Sequence, residues 1–212
     1  MGATNTVRRS EGVTTEVINV SVSVMPKTSI PFPDKKYNII YADPPWYYNR
    51  HDSRGCPYPM LETKDIIKLP VSDIAAKNCF LFMWATFPRL QEGLDVINGW
   101  GFEYKTIGFN WVKKNKNGGW FWGMGNWTRS NSEVCLIGVK GKPKRVRADI
   151  HQIIDSPFTE HSKKPNIVRD KIIQLCGDLP RIELFARTKI HGWDTWGNDE
   201  KLQSKPLESF FD

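Results

Sequence analysis

The chain has 212 residues, 40% hydrophobic and 25% charged, with thirty Lys and Arg against twenty-three Asp and Glu and a net charge of +7. That length holds one α/β domain with a real core, and the composition excludes fibrous and low-complexity classes. The longest strongly apolar run, Cys79 to Phe87, is too short to span a bilayer, and the basic excess favours a polyanionic partner, although solubility by itself accounts for a modest surplus. Residues 1–28, rich in Ser, Thr and Val, include Val20-Ser21-Val22-Ser23-Val24, whose alternation suits an edge strand or a flexible arm. Tyr37 to Ala42 reads as a buried strand, followed at once by Asp43-Pro44-Pro45-Trp46. Residues 47–60 are turn-rich and polar and are expected to form a mobile loop. Glu62 to Leu69 reads as a helix stopped by Pro70, and Cys79 to Trp84 as a buried parallel strand. Pro88 to Trp100 has Pro near its start and Leu90, Leu94 and Ile97 at helical spacing. Phe102 to Val112 is extended, residues 113–131 hold too much Gly and Asn for a stable element and read as a long functional loop, and Glu133 to Val139 is another strand. Residues 140–162 read as a basic surface loop, Pro165 to Cys176 as a helix ended by Gly177, and Arg181 to Ala186 as the last strand.

Strands alternating with helices imply an α/β sheet with a largely parallel middle, in which ligands sit at the carboxyl ends of the strands. Asp43, Trp84, Trp111 and Arg187 all fall at or near such ends and are expected to line one crevice. The domain is expected over residues 29–200, with 1–28 as an arm and 201–212 as a tail. Cys56, Cys79, Cys135 and Cys176 lie far apart with no CxxC pair, which suits reduced thiols in a cytoplasmic protein. The four His show no HExxH spacing, so no metal site is expected, and no secretory signal stands in the first thirty residues. Two basic clusters, Lys113, Lys114 and Lys116 and then Lys140, Lys142, Lys144, Arg145 and Arg147, flank Trp111, Trp120, Trp122 and Trp127. Basic residues interleaved with aromatics suit phosphates and unstacked bases; a solvated surface over core tryptophans is the plainer alternative.

The tetrapeptide carries the chemistry. An exocyclic amine of a base is a poor nucleophile because its lone pair is delocalised into the ring. Acceptors on its two hydrogens favour pyramidalisation and stabilise the charge that develops. The Asp43 carboxylate is one acceptor, and the Pro44 carbonyl, oriented by a stiff Pro-Pro step, is the natural second. Trp46 offers a flat face for the base, and placement supplies most of the catalysis. The alternative is a turn followed by a core tryptophan.

With its flanking landmarks the chain resembles the MT-A (seventy-kilodalton subunit) adenine methyltransferases, of the bacterial and phage type. The landmarks are Tyr41-Ala42-Asp43-Pro44-Pro45-Trp46, Pro57-Tyr58, Leu81-Phe82-Met83-Trp84, Asn110-Trp111-Val112-Lys113, Glu133 to Gly141, Ser162-Lys163-Lys164-Pro165, Glu183-Leu184-Phe185-Ala186-Arg187, and Gly192-Trp193 with Trp196-Gly197-Asn198. The resemblance covers about residues 37–200 and implies a Rossmann-like class I fold, mainly parallel and flanked by helices. Its motif order is permuted, with the catalytic motif early and the cofactor strand late. It further implies that Asp43 to Trp46 hold the amine, that Tyr58, Trp84, Trp111 (on a gate loop) and Glu133 lie by the substrate nucleoside, and that Lys164, Phe185, Arg187, Asn198 and Asp199 join Asp43 around S-adenosylmethionine. Lys142, Lys144 and Arg145 are expected to contact the nucleic acid. Phe185 and Trp84 as core, Arg187 and Lys164 as surface ion pairs, and Tyr58 as a loop aromatic are the plainer alternatives. The absence of a GxGxxG loop argues against a dinucleotide.

The function implied is methylation of the 6-amino group of adenine, in DNA rather than RNA because the chain is compact and lacks appended RNA-binding modules. The target base in a duplex needs flipping, and the tryptophan-rich loop is placed to stack the extruded base or plug the gap. An RNA enzyme, a catalytically silent nucleic-acid-binding subunit, and cytosine or protein-glutamine methylation are the rivals. Asp at the first tetrapeptide position favours adenine. Monomer and homodimer are both compatible with the sequence, and no membrane partner is expected.

Overall fold

Burial along the central strands alternates with period two between two separate cores, and this alternation builds the molecule. A computed structural model describes residues 31–48, 60–125, 127–158 and 163–197. Strands β1 (Tyr37–Ala42) and β2 (Ala75–Ala85) are joined by two short helices, α1 (Thr63–Ile67) and α2 (Val71–Ile74). A 3-10 turn at Phe87–Arg89 leads into α3 (Leu90–Gly99), then β3 (Glu103–Lys114), β4 (Ser132–Lys140), β5 (Ile153–Pro157), α4 (Ile167–Cys176), β6 (Arg181–Leu184) and β7 (Asp194–Trp196). The seven strands form one sheet in the order β5-β3-β4-β2-β1-β6-β7. Among the described strands only β4 runs against the rest; it pairs antiparallel with β2 and β3, while β1–β2, β1–β6, β6–β7 and β3–β5 are parallel. This is the mainly parallel Rossmann-like arrangement that the sequence implies.

On one face Ile40, Ala42, Leu81, Met83, Val134, Leu136, Ile182 and Leu184 pack with Ile66 of α1 and with Val96 and Ile97 of α3. On the other, Ile39, Tyr41, Phe80, Phe82, Trp84, Cys135, Phe109 and Trp111 pack with Val168, Ile172 and Cys176 of α4. β1 is the pivot: the chain leaves it for β2 on one side and returns late to β6 on the other. The carboxyl ends of β1 and β6 therefore meet at the point where the winding reverses, the place where such sheets open a crevice.

The structure departs from the sequence reading at short elements. β5 lies within residues read as a surface loop; it is a five-residue edge strand with Ile154 buried and Ile153 exposed, and only its pairing to β3 makes it extended. β7 has three residues and is likewise defined by its partner, β6. β2 begins four residues before Cys79, since α2 has only one turn. The helix expected from Pro88 starts as a 3-10 turn carrying that Pro, and the α-helix proper begins at Leu90. The expected strand or arm at 1–28, and most of the expected mobile loop at 47–60, lie outside the described residues.

Candidate functional site

Parity along the strands decides which side chains share the site. Asp43 continues the odd-numbered face of β1 beyond Tyr41, toward α4. Glu133 pairs with Trp111 across β3–β4, Cys135 with Trp84 across β2–β4, and Glu183 with Tyr41 across β1–β6, so these residues line the same face. Lys164, just ahead of α4, reaches this face and is almost fully buried.

The Lys164 ammonium donates to both carboxylate oxygens of Asp43 at 2.8 Å and lies 3.3 Å from Oε2 of Glu133. The other Glu133 oxygen accepts from Lys113. Two carboxylates and two ammonium groups thus alternate in one half-buried chain, Asp43–Lys164–Glu133–Lys113. Burial pushes the Asp43 carboxyl above its usual range, and Lys164 opposes that rise. Burial likewise disfavours a charged Lys164 and a charged Glu133. There the opposite charges win, holding the ammonium above its usual value and the Glu133 carboxyl below its own. The Lys164 ammonium also stands 5.5 Å above the Trp84 ring, and Lys113 5.0 Å above that of Trp111.

The tetrapeptide is held stiffly. The Trp46 N–H donates to the Pro44 carbonyl at 2.9 Å, which orients that carbonyl and leaves its second lone pair for another donor. Leu61 N–H donates to the Pro45 carbonyl at 2.8 Å, and Tyr47 N–H to the Leu61 carbonyl at 3.0 Å. Trp46 is not a flat face for the base: it is buried in the core on the α3 face, with its indole N–H donated to the Trp84 carbonyl at 3.2 Å. It is the anchor of the motif. Trp84 and Trp111 are also buried, edge to face at 6.5 Å, and Trp84 donates its indole N–H to the Tyr41 hydroxyl at 2.6 Å. Trp111 belongs to β3 rather than to a gate loop, because the pairing of β3 with β4 and β5 continues past it to Lys114. These two rings floor the carboxylate cluster from below.

A cleft of about 220 Å³ opens at the carboxyl ends of β1 and β6, lined by Tyr41, Asp43, Lys164, Arg169, Phe185 and Arg187 among others. Phe185 has φ 61°, the left-handed region, which costs a bulky residue on the order of 1–3 kcal/mol and recurs at ligand clamps. Its backbone is braced by β7: Ala186 N–H donates to the Trp196 carbonyl at 3.1 Å, and a Cβ on Gly197 would meet the Ala186 carbonyl oxygen at 2.4 Å. The Phe185 ring stands edge-on to Trp196 at 5.7 Å. Arg187 is exposed at the cleft rim. Asn198, Asp199 and Tyr58 lie outside the described residues.

Three residues missed in the sequence complete the walls. Arg169 makes a two-pronged ion pair with Glu183, both contacts 2.7 Å, and its guanidinium lies 5.5 Å above the Tyr41 ring. The signal for Tyr41 and Glu183 was their two-residue offset from Asp43 and Phe185; Arg169 had no signal beyond its place on α4. Lys142, Lys144 and Arg145 are not at this site. They follow the carboxyl end of β4, which runs backwards. Lys140 pairs with Cys79 in the first half of β2, and the Lys142 N–H donates to Asn78 at 2.9 Å. The stretch of β4 from Glu133 to Lys140 puts them more than about 20 Å from the edge that holds Asp43. Among the described residues no group of three His, Cys, Asp or Glu side chains is placed to hold a metal ion, and no helix is long and apolar enough to cross a membrane.

The family model described as MT-A70 matches residues 37–199. A type II methyltransferase, M.MunI, of Mycoplasma sp is 36% identical over 203 residues, covering 84% of this chain and 84% of its own length. The N(6)-adenine-specific methyltransferase METTL4 of Homo sapiens is 31% identical over 182 residues, covering 78% of this chain and 38% of its own. The N(6)-adenosine-methyltransferase catalytic subunit METTL3 of Homo sapiens is 29% identical over 172 residues, covering 77% and 28%. The chain spans most of the first relative and well under half of the other two.

Proposed function

The chain belongs to the MT-A70 family, and on that footing we propose that it methylates the 6-amino group of adenine in DNA, with S-adenosylmethionine as the methyl donor. The observation that supports this reading best is the Asp43 carboxylate, presented on a rigid Pro-Pro-Trp turn at the mouth of the β1–β6 cleft. The DNA preference leans on the type II methyltransferase, which the chain matches along most of both lengths.

The residues present fit the donor. An aromatic side chain on a strained, braced backbone suits its adenine, and the Asp43 carboxylate suits its sulfonium. Arg187, Lys163, Asn166 and Thr188 offer donors for its carboxylate and hydroxyls. When bound, S-adenosylmethionine supplies the methyl carbon that the amine nitrogen takes as the carbon–sulfur bond breaks. Asp43 accepts one amine hydrogen and the Pro44 carbonyl the other, favouring the pyramidal nitrogen and stabilising its developing charge. The extra proton passes to solvent water after the new bond forms, when the alkylated nitrogen is acidic, so no strong general base is needed. Lys164 keeps Asp43 ionised and aligned; the second carboxylate, Glu133, gives its ammonium an alternative partner when the amine takes up the Asp43 oxygens.

The test is methyl transfer to matched DNA and RNA oligonucleotides, with the modified nucleosides identified by mass spectrometry. N(6)-methyladenine in DNA, lost in Asp43→Ala while donor binding persists, is the expected result. Methylation of RNA alone, or full activity in Asp43→Ala, would overturn it.

A further inference from the structure

The described residues of the connection between β3 and β4, 115–125 and 127–131, carry large aromatic rings in water on a backbone tied at two places by hydrogen bonds. Asn115 N–H donates to the Gly119 carbonyl at 2.7 Å, and the Asn115 side-chain amide to the Trp120 carbonyl at 2.8 Å. Phe121 N–H returns to the Lys113 carbonyl at 3.1 Å, and Gly123 N–H to that of Ser130 at 2.7 Å. The second turn is closed so tightly that a Cβ on Gly123 would meet the Ser130 carbonyl oxygen at 2.6 Å. Side chains then alternate along the stapled segment. Phe121 turns inward and stacks on Phe158 at 5.0 Å, while Trp120 is 49% exposed, Trp122 62%, Met124 88% and Trp127 98%. A fold that half-buries Phe121 against Phe158 and braces its backbone nevertheless leaves three neighbouring Trp exposed. Several large apolar rings exposed on one short connection mark an interaction site.

Charge selects the partner. Residues 115–131 contain no Asp or Glu but hold Lys116 and Arg129, and the Lys114 ammonium lies 5.2 Å above the Trp120 ring. The connection springs from the same sheet edge as Asp43 and is joined to it by the Lys113–Glu133–Lys164 chain. A peptide partner of apolar chemistry would need none of these cations, whereas unstacked bases with their phosphates need both rings and cations.

We propose that Trp120, Trp122 and Trp127, with Lys114, Lys116 and Arg129, form a platform for the unstacked bases flanking the target adenine, so that the enzyme engages single-stranded or locally opened nucleic acid. This rests on the methylation reading for its target but not for its binding. The test compares binding of a fluorescent single-stranded oligodeoxynucleotide by the full chain, by a Trp122→Ala/Trp127→Ala variant and by a Trp122→Phe/Trp127→Phe variant. Donor binding by calorimetry reports the integrity of the fold. About tenfold weaker binding per ring is expected in the Ala pair, with most of it recovered in the Phe pair and an unchanged salt slope. Lys116→Gln/Arg129→Gln is expected to flatten that slope. Oligonucleotide binding by the Ala pair equal to that of the unaltered chain would overturn the proposal. So would a dimer, seen by light scattering, that dissociates in the Ala pair while oligonucleotide binding is kept, because the platform would then hold a second copy. Ring-dependent binding without any methylated nucleoside would sink the methylation reading and leave the platform standing.

Discussion

At Asp43 two forces act on one carboxyl, and their balance sets a pH dependence. Burial raises its pKa and the Lys164 ammonium, 2.8 Å away, lowers it. In the proposed mechanism only the ionised form accepts an amine hydrogen, so the rate is expected to fall as pH drops through this value. Because the net shift is upward, the acid limb of the pH–rate profile lies above the ~3.9 of an ordinary aspartate. Lys164→Met removes the lowering influence and is expected to move that limb to higher pH, with kcat reduced on the acid side; a limb that stays in place would separate Lys164 from the titration. Phe185 supplies a second test. Phe185→Ala removes the ring that faces the cleft and is expected to weaken donor binding about tenfold or more, read by calorimetry, since a stacked ring contributes ~1–3 kcal/mol. Asp43 was legible in the sequence because a strand end followed by Pro-Pro admits few conformations. Trp46 was not: an aromatic after Pro-Pro can turn to either face of the sheet, and here it turns into the α3 core.

Elements are tied together at the site by contacts that link distant segments. Arg169 on α4 and Glu183 on β6 form an ion pair with side chains only 13% and 9% exposed. Removing one partner leaves a buried charge, so Arg169→Met is expected to lower unfolding free energy by about 3–5 kcal/mol, measured by denaturant titration. Replacing Glu183 by Leu in the same chain should recover much of that loss, because no charge then stays buried alone. β7 is tied differently, by close approach. Gly197→Ala places a methyl against the Ala186 carbonyl and is expected to cost about 1–3 kcal/mol and to weaken donor binding through Phe185, checked by thermal denaturation and calorimetry. The long apolar strands β1, β2 and β4 were legible because continuous burial leaves a continuous apolar run. β5 and β7 were not, because five and three residues at a sheet edge carry no period of their own and take their conformation from the strand they meet.

Across the whole molecule the basic excess divides between two ends of the sheet. Lys113, Lys114, Lys116 and Arg129 belong to the edge that holds Asp43, whereas Lys142, Lys144 and Arg145 follow β4 at the opposite one, beside Asn78. Neutralising the second group is expected to weaken binding to a long duplex, and to flatten its salt dependence, far more than it slows methyl transfer to a short oligonucleotide. Equal losses on both substrates would place that group in contact with the target strand after all. The sequence by itself determined the α/β class, the permuted motif order, the family and the carboxylate at the end of β1, because each is written in contiguous residues whose local conformation has few alternatives. The tertiary structure alone decided that Lys164 and Glu133 share a charge chain with Asp43, that Arg169 and Glu183 wall the cleft, and that one basic cluster faces away. The first and last of these depend on β4, which alone among the described strands runs against its neighbours and so carries Glu133 to the edge that holds Asp43 and Lys140 to the opposite one, and a strand's direction is set by its neighbours rather than by its own residues.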